Sequence, residues 1–287
     1  MITMRNVNKK VKGQSILSNV NLNIEGVYGL IGPNGAGKTT LMKILASLTS
    51  LNSGIIEING ENYSKGKYLK RTNKIGYLPQ DFMIYPNVEV KDVIDHIALI
   101  QGIMEKQTRI NTVSKVLKLV NLQGFENKKM VELSGGMRKR VGIAQLLISE
   151  PSILLLDEPT AGLDIEERIR FRNLLRDLSE NRTIIISSHL IEDIEFLSTK
   201  VGILKKGKVL FEGNPKELKN MAAGKVREYK IPKEELSSFS KEREVTQISD
   251  EEDFLKVRIF SNVCEQDSQL VSPRLSEGYL SVVREGE

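Results

Sequence analysis

The sequence predicts an α/β protein with a helical insertion and a small α+β tail. Three observations carry that prediction. The run Ile153-Leu154-Leu155-Leu156 and residues 183–187 are apolar without alternation, as in strands buried on both faces of a parallel sheet. Each is followed by a helical stretch, at residues 165–178 and 190–197. A glycine-rich loop at residues 32–37 sits between an apolar strand and a segment with helical apolar spacing at Leu41, Ile44, Leu45 and Leu48.

The remaining elements follow in order. Residues 3–31 read as short strands joined by turns, at 16–20, 22–24 and 27–31, and residues 54–58 and 74–78 also read as strands. From about 88 to 120 the period becomes helical, with Val93, Ile97, Leu99 and Ile100, then Val113, Val116, Leu117 and Val120. A helix over 136–149 stops before Pro151. Strands at 201–204 and 208–211 flank a Lys206-Gly207 turn. Asn214-Pro215 is an N-cap followed by proline at the first helical position, opening a helix over 216–220. The composition shifts at Ala222-Ala223-Gly224, after which 225–231, 244–248 and 256–260 read as strands. The expected organisation is therefore a main domain over 1–221, helical over about 81–150, and an accessory region over 222–287.

Composition narrows the function. The chain has 287 residues, 40% of them apolar, enough for a sizeable core. Trp is absent and aromatic residues are 5%, so broad stacking platforms for single-stranded nucleic acid are not expected. The net charge of +5 hides an asymmetry: residues 1–221 carry +9 and residues 222–287 carry −4. Such a basic first part suits an anionic partner such as nucleotide, nucleic acid or anionic lipid, but on charge alone a solvated surface is the better reading. The single cysteine, Cys264, excludes an intrachain disulfide and fits a reducing compartment. The start, Met1-Ile2-Thr3-Met4-Arg5, lacks the apolar core of a signal peptide, and the longest apolar stretch, 93–104, is broken by Asp95, His96 and Gln101. Nothing in the sequence is expected to span a bilayer.

Two motifs carry chemistry by themselves. Gly32-Pro33-Asn34-Gly35-Ala36-Gly37-Lys38-Thr39 fits G-x-x-x-x-G-K-[ST], with Thr40 following. Its glycines let backbone N–H groups face phosphate oxygens, and the helix that follows adds positive partial charge. Lys38 is expected at the β- and γ-phosphates of ATP and the Thr39 hydroxyl on Mg²⁺. The buried run at 153–156 ends in Asp157-Glu158, 119 residues after Lys38. Acids at the carboxyl end of a parallel strand lie where such sheets bind ligands. Asp157 would position Mg²⁺, directly or through water, and Glu158 would polarise the attacking water.

The third motif is Leu133-Ser134-Gly135-Gly136-Met137, followed by Arg138-Lys139-Arg140. It resembles the signature of ABC ATPases, with Met137 where many members have Gln. Ser134, Gly135 and Gly136 at a helix start form a second anion-binding nest. Gln80 in Gly76-Tyr77-Leu78-Pro79-Gln80 is similar to the family's Q-loop, which touches Mg²⁺. Asp164 in Ala161-Gly162-Leu163-Asp164 is similar to the D-loop that meets a partner subunit, and His189 to the switch histidine on the γ-phosphate. Many relatives place an aromatic ring against adenine in the first strand–turn region; the nearest residue here is Val11.

The resemblance covers roughly residues 1–220. It implies a P-loop NTPase core of the ABC ATPase type, with an antiparallel β subdomain, a helical subdomain and a small C-terminal α+β tail. It further implies an ATP- and Mg²⁺-dependent ATPase, dimeric with an identical or different second subunit. Such a subunit serves a separate transmembrane permease, peripherally at the cytoplasmic face of the membrane, with no nucleic acid as partner. The alternative is a soluble ABC ATPase acting on nucleic acid or the ribosome, but only residues 40–132 separate loop and signature, without sustained heptads, and there is one cassette. Residues 271–280 resemble the end of ATPase subunits of the ABC-2 type, which often serve drug or peptide-antibiotic exporters. The same stretch also fits a surface-packing helix with Leu275, Tyr279 and Val282 as its apolar face.

Overall fold

The computed structural model describes residues 1–63, 75–82, 85–261 and 268–285. Cys264, and Lys74 at the start of one expected strand, lie outside the described residues. The chain divides into two compact units, Met1–Glu212 and Gly213–Glu287.

The first unit begins with an antiparallel sheet in the order β2-β1-β4-β5, built from β1 (Ile2–Val11), β2 (Gln14–Ile24), β4 (Ser53–Ile58) and β5 (Glu61–Asn62). Strands β1 and β2 join through Lys12-Gly13, whose φ values of 49° and 82° are both positive. Two left-handed residues give the turn whose twist matches a hairpin. Residues 16–20 and 22–24 read as separate strands in sequence but belong to the single strand β2. The interruption has a physical origin: Asn6 (φ 50°) and Asn19 (φ 52°) adopt left-handed backbone, and the β1–β2 register shifts between Met4 and Val7 and again by Lys9. Asparagine tolerates that conformation, so the ladder bends without ending.

The second sheet has the order β10-β9-β3-β8-β7-β6. It comprises β3 (Val27–Ile31), β6 (Ile75–Leu78), β7 (Ile153–Asp157), β8 (Thr183–Ser188), β9 (Lys200–Lys205) and β10 (Lys208–Gly213). Pairs β3–β8, β3–β9, β6–β7 and β7–β8 are parallel. Every residue of β3 and β7 is buried, which is why both read as unbroken apolar runs. Helix α1 (Lys38–Leu45) follows β3 and contributes Leu41, Met42 and Leu45 to a core shared with Ile2, Met4, Tyr28, Leu155 and Ile185. The helix stops short of the Leu48 expected from its period, because Ser47 turns left-handed (φ 59°).

Among the described residues between β6 and β7 lie three α-helices, α2 (Val90–Ile100), α3 (Lys106–Leu119) and α4 (Gly135–Leu147), which contact one another and bury Val93, Ile94, Val116, Leu117, Val141 and Ala144. Helix α5 (Ile165–Ser179) follows β7, and the five-residue α6 (Ile191–Glu195) follows β8.

The second unit holds an antiparallel sheet, β12-β13-β11-β14, from β11 (Val226–Ile231), β12 (Val245–Asp250), β13 (Leu255–Phe260) and β14 (Ser268–Leu270). It also holds α7 (Pro215–Asn220), α8 (Leu236–Glu242) and α9 (Leu275–Glu285). Its boundary falls before α7, nine residues ahead of the composition shift, because α7 packs on α9: a Cβ on Gly278 would meet the Leu218 carbonyl oxygen at 2.1 Å. The inward face of α9 also differs from the expected one. Leu275 and Val282 are buried, but Tyr279 is only half-buried, and Glu277, Gly278 and Ser281 turn inward. A buried ion pair draws Glu277 in: Arg258 Nε and Nη2 each donate to its carboxylate at 2.9 Å, and the Arg274 amide and Thr246 hydroxyl add two further bonds.

Candidate nucleotide site

The glycine-rich loop is shaped by its neighbours. Gly35 and Gly37 have φ of 79° and 105°, open only to residues without a Cβ cost. A Cβ on Gly37 would lie 2.7 Å from Leu17, and one on Gly32 would lie 2.1 Å from the Leu204 carbonyl oxygen. The loop therefore winds tightly into α1, which has no acidic residue in its first turn to compete for an incoming anion. Asn34, Gly35, Ala36, Gly37, Lys38, Thr39 and Thr40 line a cavity of about 360 Å³, together with Ile16, Gln80 and Glu158. Gly32 and Pro33 bear on it through Lys38, whose Nζ donates to the Gly32 carbonyl at 2.6 Å and to the Pro33 carbonyl at 3.3 Å.

The acids come from the end of β7. Its register pairs Asp157 with Ser187 on β8, and it pairs with β6, which carries Tyr77. Asp157 is buried, and it accepts from Ser187 Oγ at 2.5 Å and from the Tyr77 hydroxyl at 3.3 Å. Burial, reinforced by the Asp157 charge and hydrogen bond, pushes the Tyr77 phenol well above its ordinary pKa, so it remains a donor. Ser187 Oγ also accepts the Glu158 amide at 2.9 Å. That bond helps to hold Glu158 in a left-handed conformation, φ 49°, which an unbranched acid adopts only at a cost.

The Glu158 carboxylate, buried, is thereby aimed back at the loop. Its Oε1 lies 3.4 Å from Lys38 Nζ and its Oε2 lies 2.5 Å from His189 Nδ1. The His189 side chain itself is 44% exposed. One carboxylate thus stands between the Lys38 ammonium and an accessible imidazole. Such a group can orient a water and accept its proton beside a bound phosphate. The oxygens of Thr39, Gln80 and Asp157 are hard donors, of the kind Mg²⁺ takes in small number alongside substrate phosphates. Among the described residues no cluster of three His, Cys, Asp or Glu is placed to hold a metal by itself.

The third motif stands apart from this cavity. Ser134 caps α4, accepting from the Met137 amide at 3.1 Å, and Ser134 and Gly135 are exposed. Gly136 is buried: a Cβ there would meet the Glu167 carboxylate at 2.1 Å. Asp164 caps α5 through the Glu167 amide at 2.8 Å and is likewise exposed. None of Ser134, Gly135, Gly136 and Asp164 lines the cavity. Nor does Val11, which is 45% exposed; the apolar side chain at the loop is Ile16. Sequence reasoning passed over Ile16, Tyr77 and Ser187. The last two follow from strand order, since neighbours of β7 in a parallel sheet must flank its terminal acid.

A glycine-rich loop of the G-x-x-x-x-G-K-[ST] pattern opening a helix, an acid pair at the end of a buried parallel strand one strand removed, and a helical insertion define a P-loop NTPase. The comparisons give the narrower class. The ABC transporter family model matches residues 17–161. The lantibiotic transport ATP-binding protein SrtF of Streptococcus pyogenes is 37% identical over 215 residues, 74% of this chain and 90% of that protein. The bacitracin transport ATP-binding protein BcrA of Bacillus licheniformis is 39% identical over 219 residues, 74% of this chain and 69% of that protein. Among solved structures, cbiO1 from Clostridium perfringens, part of the transporter complex cbiONQ, superposes with a TM-score of 0.70 at 30% identity, over 76% of this chain and 89% of that one. The cassette MJ0796, in a dimeric post-hydrolysis state bound to ADP and Pi, gives 0.66 at 30% identity, over 75% and 98%. This chain belongs to the ABC transporter family as an ATP-binding, ATP-hydrolysing cassette. Among the described residues no helix is long and apolar enough to cross a membrane.

Proposed function

We propose that the chain is the ATPase subunit of an exporter, working peripherally at the cytoplasmic face of the membrane on a separate permease. Its cargo class is a peptide antibiotic, a drug or a lipid-like molecule. The observation that carries the reading is the Glu158 carboxylate, set between Lys38 and His189 at the mouth of the loop cavity. The cargo class rests on the likeness to SrtF and BcrA, whose names specify lantibiotic and bacitracin transport.

In this reading the backbone of residues 32–39 cradles the phosphates and Lys38 neutralises the β- and γ-oxygens. Thr39, Gln80 and Asp157 would hold Mg²⁺, which when bound supplies charge neutralisation on the phosphates. Glu158 orients the attacking water, and His189 reaches the γ-phosphate from its exposed position. Two subunits close face to face, so that Ser134, Gly135 and Gly136 of one cover the γ-phosphate held by the other, with Asp164 at the seam. That use fits a segment whose Ser134 and Gly135 are exposed and which does not line the loop cavity of its own subunit. The unit Met1–Glu212 serves as the ATPase domain, and Gly213–Glu287 as an accessory region.

The test is co-expression with a candidate multi-helix membrane permease from the same genome, in cells challenged with a lantibiotic or bacitracin. The pair is expected to fractionate together with the membrane and to confer resistance that Glu158→Gln abolishes. A chain that stays out of the membrane fraction with that partner present, or resistance that survives Glu158→Gln, refutes the proposal.

A further inference from the structure

Two segments leave the parallel sheet side by side, one after β7 and one after β8. The first carries Glu158 and runs through Thr160 to Asp164; the second carries His189 and enters α6. Beyond the contact between Glu158 and His189, one further bond joins them. Thr160 Oγ1 donates to Asp193 Oδ2 at 2.6 Å, and both residues are only 3% exposed. The other carboxylate oxygen of Asp193 lies 3.7 Å from Arg168 Nη1.

The two segments are not equally anchored. The segment after β7 is held from the opposite side, where Lys139 on α4 donates to the Ala161 carbonyl at 2.5 Å. It is also held from below, where Arg168 Nε donates to the Leu163 carbonyl at 3.2 Å. Helix α6 has five residues and no side-chain cap, too short to hold its own shape without tertiary contacts. The His189 side chain is 44% exposed, so packing pins its ring on one side only. What fixes the start of α6 is the burial of Ile191 and Ile194, the Leu190 amide donating to Ser188 Oγ at 2.9 Å, the Arg168–Asp193 pair, and the bond that Thr160 donates to Asp193.

We propose that Thr160 and Asp193 are positioning residues that hold His189 against Glu158. Neither lines the nucleotide cavity. A hydrogen bond to a buried carboxylate is among the stronger ones, and cutting it releases the weakly anchored side, α6 with His189, rather than the loop that Lys139 secures. Binding of nucleotide is left intact, and the chemical step slows because the imidazole no longer rests at bonding distance from the acid. A displacement of about 1 Å at a reacting group is enough to cost roughly a hundredfold in rate.

The inference rests on the reading of Glu158 and His189 given above, so the experiment separates the two. The purified full-length chain is assayed for ATPase activity as Thr160→Val, Thr160→Ser, Asp193→Asn and His189→Ala. Valine matches threonine in shape but has no hydroxyl. Thr160→Val is expected to lower kcat about tenfold or more while KM for MgATP stays within about twofold, and Thr160→Ser is expected to recover most of kcat. A kcat for Thr160→Val within about twofold of the parent overturns the proposal, as does a joint change of kcat and KM that serine does not rescue. Should Thr160→Val not fold, Asp193→Asn decides: it keeps an acceptor oxygen but loses the charge, so a lowered kcat at unchanged KM supports the proposal and a normal kcat overturns it. Normal turnover by His189→Ala sinks the reading of the site. An inactive His189→Ala beside a normal Thr160→Val sinks the positioning role alone.

Discussion

Lys38→Met isolates the charge at the centre of the site. Methionine keeps most of the aliphatic stem, so the substitution removes the ammonium group with little change of volume. Two consequences for ATP binding have the same sign. The phosphates lose a charge-assisted contact of about 1.5–3 kcal/mol, roughly ten- to a hundredfold in affinity. Glu158 Oε1, otherwise 3.4 Å from Lys38 Nζ, becomes an uncompensated negative charge facing the γ-phosphate, which weakens binding further. The fold also feels the change. A buried carboxylate losing one partner costs about 1–3 kcal/mol, moderated here because Oε2 keeps its contact with His189. The assay is titration calorimetry with MgATP at fixed salt, beside a thermal melt. Affinity is expected to fall at least about tenfold, with the midpoint lower by a few degrees. An ATP affinity within about twofold of the parent refutes the placement of Lys38 at the phosphates.

Two further predictions concern turnover and assembly. Glu158→Gln keeps the shape of the acid but cannot accept a proton, so it is expected to bind ATP, lose most turnover and elute as a dimer on gel filtration with MgATP; normal turnover would remove Glu158 from the chemistry. Gly135→Asp adds a Cβ that meets no other side chain or distant backbone atom within 4 Å, on an exposed residue, so the fold tolerates it, but the charge opposes a partner's γ-phosphate. ATP binding should survive while hydrolysis fails, and mixing Gly135→Asp with Lys38→Ala subunits should restore activity at the one site that carries neither change. Full hydrolysis by Gly135→Asp alone would remove the signature segment from the active site.

Much of this architecture is legible in the sequence, for reasons that differ by element. Strands β3 and β7 announce themselves because burial on both faces leaves no room for polar residues. The loop is legible because its backbone conformation demands glycine at fixed spacing. Strand β2 is not read whole, since Asn21 lies opposite a bulge at Asn6 on β1 and looks like a turn when the partner strand is unknown. Nor can the inward face of α9 be read from periodicity: Glu277 is buried because Arg258, on another element, meets it there. Within the site, Lys38, Asp157 and Glu158 stand out by motif. Tyr77, Ser187, Thr160 and Asp193 become visible only when the strand order sets them beside one another, because their partners lie 29 to 80 residues away in the chain.

The left-handed backbone at Glu158 sets evolution and engineering against each other. A glycine or asparagine would occupy that conformation more comfortably than glutamate does. A library of this chain selected for heat resistance alone would therefore tend to discard the acid, enriching sturdy proteins that no longer turn over ATP. Keeping glutamate at that position therefore requires that turnover be selected alongside folding.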